Sequence, residues 1–138
     1  MGDPTVETMI WRALRKRLEA YPALPPVLYP GDAEGTPTAT HILASTILAP
    51  PERHFIANGK PHIRRGTLQL MMRHSPQTLN LTLTIQEAGL IAAHFTDGTC
   101  MQDGSVRLKV VDYPEVSDGF TDKGWWNTPI RIRWDTAA

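Results

Sequence analysis

Polar and apolar residues along this chain follow two distinct periods. From Ile130 to Trp134, Ile130, Ile132 and Trp134 alternate with Arg131 and Arg133, the two-residue period of a strand with one buried face. Near the N-terminus, Val6, Ile10, Leu14 and Leu18 recur at four-residue steps and, with Trp11 and Tyr21, predict an amphipathic helix over 4–20. Asp3 suits its N-cap and Pro4 its first position. Glu7 lies early and Arg12, Arg15, Lys16 and Arg17 lie late, as the helix dipole favours, and the basic face reads as solvated. Pro22 ends the helix.

The same reading extends across the middle of the chain. Val27, Leu28 and Tyr29, set among prolines, suit a short edge strand. Residues 39–74 read as strand, hairpin, strand: His41–Leu48 alternates, Asn58-Gly59 marks the tip, and Gly66–His74 returns with Leu68, Leu70 and Met72 on one side. Residues 76–95 are ambiguous at their start. Leu79, Leu81, Leu83 and Ile85 alternate as in a strand, whereas Ser75-Pro76 and the spacing of Leu81, Ile85, Ala88, Ala92 and Phe95 favour a helix. The helix is preferred, ending at Asp97-Gly98. A strand pair over 105–135 completes the chain. The order predicts one α+β domain over 1–138, with an antiparallel (mixed) sheet of about four to five strands and two helices packed on one face.

Composition removes several function classes. Fourteen basic residues balance fourteen acidic ones, so no net field points to nucleic acid or a membrane surface. No apolar run approaches the roughly 18 residues needed to span a bilayer. The single cysteine, Cys100, rules out an intramolecular disulfide. The N-terminus lacks a signal-peptide core, so synthesis in a cytoplasm is expected. The five histidines show no His-x-x-x-His spacing, and neither a nucleophile elbow nor a phosphate loop occurs. No metal, cofactor or catalytic site is expected, and the chain does not read as an enzyme.

Charge is patterned locally. Residues 53–65 carry Arg53, Lys60, Arg64 and Arg65 with His54 and His62 and no acid. Residues 112–122 carry Asp112, Glu115, Asp118 and Asp122 and no base. Each patch alone suits a solvated loop; together they suit a head-to-tail ring, in which one surface meets a different surface of the next copy. Trp125 and Trp126 point to opposite sides of a strand, which makes Trp125 a candidate partner contact unless it belongs to the loop. The candidate interface residues are therefore Arg53, His54, Lys60, His62, Arg64, Arg65, Glu115, Asp118, Asp122 and Trp125.

The ordered elements carry a resemblance. Ile10–Leu18 is followed by a strap containing Pro25, Val27, Tyr29 and Pro30, a strand ending Leu48-Ala49-Pro50-Pro51 and a return strand Arg65-Gly66-Thr67-Leu68-Gln69-Leu70. The helix end Ala92-Ala93-His94-Phe95 and the closing Pro129–Trp134 complete the series. The layout resembles the tail terminator proteins of long-tailed bacteriophages and gene transfer agents. The resemblance implies a virion protein that forms a hexameric ring on the head-proximal end of the tail tube and stops its polymerisation. It also implies docking to a head–tail connector, and DNA passing through the lumen without sequence specificity. The alternatives are a neck, head-completion or tail tube subunit, or, in a different class, a monomeric binding domain or an enzyme of unrecognised type.

Overall fold

Two thirteen-residue strands pair along nearly their whole length and set the positions of all other elements. The computed structural model describes residues 5–30, 39–48, 52–53 and 62–137. In chain order these form α1 (Val6–Glu19), β1 (Val27–Leu28), β2 (His41–Leu48), β3 (Glu52–Arg53), β4 (His62–His74), α2 (Leu81–His94), β5 (Cys100–Asp103), β6 (Val106–Val110), β7 (Glu115–Val116), β8 (Phe120–Asp122) and β9 (Trp125–Ala137). The sheet runs β1-β2-β4-β9-β6-β5, with β3 added to β4, and β7 and β8 to β9. Every pairing is antiparallel except β1 with β2.

The class is α+β, with a mixed, curled sheet carrying both helices on one face. Among the described residues it has nine strands, more than the four to five expected. Three of the extra pieces are only two or three residues long, below the length at which alternation is visible. The fourth, β5, lies between Gly98 and Gly104, where the sequence reads as a turn.

The core follows from register. Leu68, Leu70 and Met72 of β4 stand opposite Ile132, Ile130 and Thr128 of β9, and Ile42 and Ala44 of β2 continue the rows. These side chains are buried together with Ile10, Leu14 and Leu18 of α1 and Ala88, Ile91 and Ala92 of α2. Trp134, fully buried, faces Gly66 across the β4–β9 pair. A Cβ at Gly66 would lie 2.9 Å from Cε2 of Trp134 and 2.8 Å from the Ile47 carbonyl oxygen. The indole occupies the space of the missing side chain, so glycine here serves close approach.

Both helices start later than their sequence signals. The N-cap of α1 is Thr5, whose side chain accepts from the Thr8 N–H; the expected cap Asp3, with Pro4, lies outside the described residues. Ser75-Pro76 opens a turn instead, with the Thr78 N–H donating to the Ser75 carbonyl at 3.2 Å. Asn80 caps α2 by accepting from the Leu83 N–H at 3.2 Å. The buried face of α2 is Thr84, Ala88, Ile91 and Ala92, so Leu81 and Ile85, which the expected stripe included, are exposed instead.

The basic face of α1 is exposed, as expected, but it is also paired within the chain. Arg12 and Lys16 reach the largely buried Asp103 at 2.8 and 3.4 Å, fastening α1 to β5. Arg17 donates to the His94 carbonyl at 2.6 Å, while His94 Nε2 donates to the Arg17 carbonyl at 2.6 Å, locking together the C-terminal ends of both helices. Arg15 pairs with Glu19 at 2.9 Å and lies 4.0 Å over the Tyr29 ring. Tyr29 packs edge-on against Trp11 and donates to Glu19 at 3.1 Å, so the proline-rich strap is held on α1.

Replacing Gly66 with Ala should cost about 1–3 kcal/mol by overpacking. The cost should shrink in a Trp134→Leu background, because the pair shares one space. A denaturation double-mutant cycle reads this, and strictly additive costs would refute the packing account. Burial, and then the hydrogen bond to Glu19, push the Tyr29 phenol up to about 12. Since the folded value is raised, its stabilising contribution is full below about pH 10 and is lost as pH rises through 12. Ultraviolet titration of the three tyrosines should resolve one late step, absent from Tyr29→Phe.

Candidate subunit interface

Strand β9 separates two chemically different ends of the molecule. Asp122 of β8 pairs with Trp125 at one end, and Lys109 of β6 pairs with Asp135 near the other. Those β9 positions lie about 33 Å apart at 3.3 Å per residue.

Basic residues gather at the C-terminal end of β9. Arg64 stands opposite Thr136, Arg65 opposite Asp135, and Arg107 and Lys109 lie on the adjoining β6. Arg64 is half-buried and ion-paired with Glu7 of α1. A backbone hydrogen bond, and then the Arg64 guanidinium, hold the Glu7 carboxyl below the usual range. Arg53 and His62 pair as backbone partners between β3 and β4. Their side chains, together with His54, Lys60 and the Asn58-Gly59 tip, lie outside the described residues.

The acidic segment starts beside the basic end and runs back along β9 to the opposite end. The Val111 N–H donates to the Arg133 carbonyl and the Ser117 N–H to the Pro129 carbonyl, each at 3.0 Å. Asp112 reaches Arg133 at 3.7 Å and Glu115 reaches Arg131 at 3.6 Å; both pairs are exposed and contribute little energy. The buried Asn127 amide donates to the carbonyls of Trp125, Asp122 and Phe120, and its oxygen accepts from Arg73 at 2.9 Å. One side chain thus fixes the returning segment. Gly119 makes room for Trp126, since a Cβ there would sit 2.5 Å from the indole. Trp125 is half-buried and packs edge-on against His41, ring centroids 4.8 Å apart, so much of its surface is used within the chain.

Apolar exposure marks both ends, and charge-based reading missed it. Leu81 is 49% and Ile85 58% exposed; with Val116, Trp126 and Asp118 they line a groove of about 360 Å³. At the basic end Ile47, 62% exposed, and Val111 line a second groove of about 450 Å³ with Arg65, Arg133 and Asp135. The signal for the first groove was present in the sequence. Strict alternation from Leu79 to Ile85 on a helix spreads apolar side chains around the axis, so one face cannot bury them all. Among the described residues, no group of three or more His, Cys, Asp or Glu side chains could hold a metal ion, and no helix is long and apolar enough to cross a membrane.

The sequence matches the family described as phage tail terminator protein over residues 9–134. No curated protein matches significantly. One solved chain, whose title states no function, superposes with a TM-score of 0.74 at 21% identity, over 96% of each chain. A second, titled virion of native gene transfer agent (GTA) particle, superposes with a TM-score of 0.63 at 12% identity, over 99% of this chain and 100% of that one. At these identities the likeness concerns the fold.

Exposure on α2 predicts an asymmetry in stability. Leu81→Ser and Ile85→Ser should each change monomer stability by about 0.5 kcal/mol or less. Ile91→Ala, on the buried face, should cost about 2–5 kcal/mol. Urea denaturation of the three variants checks the orientation of the helix, and comparable losses at all three positions would contradict it.

Proposed function

The chain belongs to the phage tail terminator protein family, a family of tail structural proteins, and on that premise we propose that it closes as a ring on the head-proximal end of a tail tube. There it stops tube growth and offers the head–tail connector a docking surface. The ring is a homohexamer in this reading, and DNA traverses its lumen through contacts with phosphates that carry no sequence information. The protein resides in the virion of a phage or gene transfer agent.

The family match carries the reading, and the two unlike ends of β9 support it. A ring requires heterologous contacts, which need different surfaces on the two sides of one subunit. An acidic, apolar-lined end and a basic, apolar-lined end about 33 Å apart along the strand meet that requirement. Arg65 and Glu115, Asp118 and Asp122 belong to these surfaces. Arg64 instead pairs with Glu7 inside the subunit and Trp125 packs on His41, so both serve the fold as well.

Native mass spectrometry of the purified chain should give a hexamer, and negative-stain images a closed ring with a central hole. Added to polymerising tail tube protein, the chain should halt elongation. Long tubes made by the chain alone would identify a tube subunit, and a monomer with no effect on elongation would defeat the assignment.

A further inference from the structure

Resting on the ring reading, we propose that the groove formed by Leu81, Ile85, Val116 and Trp126 is the receiving half of the subunit contact, and that its occupant is the basic end of a second copy of this chain. The groove exposes Leu81 and Ile85 on α2 beside Val116 of β7, with Asp118 on its rim and Asp122 nearby on β8. The basic end exposes Ile47 and Val111 with Arg65 beside them and Lys109 on the neighbouring strand. Asp135 and Asp112 sit among these cations, but Arg65, Arg107, Lys109 and Arg133 outnumber them. Apolar surface on each side would be removed from water, and opposite rims would meet.

Two observations argue against simpler pairings. A two-fold, groove-to-groove contact would bring the rim carboxylate of Asp118 toward its own copy, and like charges facing each other oppose association. A chain also cannot fill its own groove. Trp126 and Thr128, in the groove, share the strand parity of buried Ile130 and Ile132 and so lie on the helix side of the sheet. Asp135, opposite Arg65 and Lys109, has the other parity and lies at the far end of β9. Each copy therefore presents one surface and receives the other, and the contact repeats head to tail.

Two full-length variants test this. Leu81→Ser/Ile85→Ser disables the groove, and Arg65→Glu/Lys109→Glu disables the basic end. All four positions are exposed, and an unchanged melting temperature verifies folding. Neither variant alone should form rings in native mass spectrometry. Their equimolar mixture should give heterodimers and stop there, because one intact groove meets one intact basic end and no further contact is available. Asp118→Lys provides a second groove variant: it should lose rings alone and regain them when combined in one chain with Arg65→Glu/Lys109→Glu. Rings from the Leu81→Ser/Ile85→Ser variant, or a mixture without heterodimers, would overturn the proposal while leaving a wild-type ring intact. A wild-type chain that stays monomeric and does not cap tubes would overturn the ring reading with it.

Discussion

The structure depends on β9 being paired along both edges. Along one edge β4 runs antiparallel from Ile63 opposite Ala137 to His74 opposite Trp126. The other edge is divided among β6, β7 and β8. A strand in that position leaves few backbone groups unpaired and fixes the register of each neighbour. Close approach at one point makes the long pairing possible: Gly66 yields its side-chain volume to the Trp134 indole. The alternating rows of Leu68, Leu70, Ile130 and Ile132 then face the helices as one continuous surface.

Helix α1 shows how a neutral total charge can conceal organised electrostatics. Its four cationic side chains are used internally, on Asp103, Glu19 and the His94 carbonyl. Asp103 is largely buried, so removing its cations would leave a carboxylate in a poorly solvated place. At the two ends of β9 charge is accompanied by exposed aliphatic side chains.

The relative sizes of these effects assign them different roles. Exposed ion pairs contribute about 0–1 kcal/mol each and weaken with salt. Burying a Leu or Ile side chain is worth about 1.5–3 kcal/mol. At an interface built from these surfaces, Leu81, Ile85, Ile47 and Val111 would supply most of the affinity. Asp118, Arg65 and Lys109 would select orientation and partner. Helix α2 is apolar on more than one face: Ala88, Ile91 and Ala92 complete the core, while Leu81 and Ile85 stay exposed.

The sequence by itself determined the α+β class, the amphipathic α1, the alternation of β2, β4 and β9, and the segregation of basic and acidic residues. Each is a local property, because periodicity, capping and charge are written in neighbouring residues. Capping competition was less legible: Thr5 and Asn80 won over Asp3 and Ser75, although all four are plausible caps. Only the tertiary structure decided which face of α2 is buried, because helical spacing fixes which residues align but not where the sheet lies. Tertiary structure also brought α1's cations to Asp103 and His94, which are distant in sequence, and laid the acidic segment along β9 through Asn127. The two grooves arose in the same way, since each joins residues from separate elements that meet only when β9 is paired on both sides.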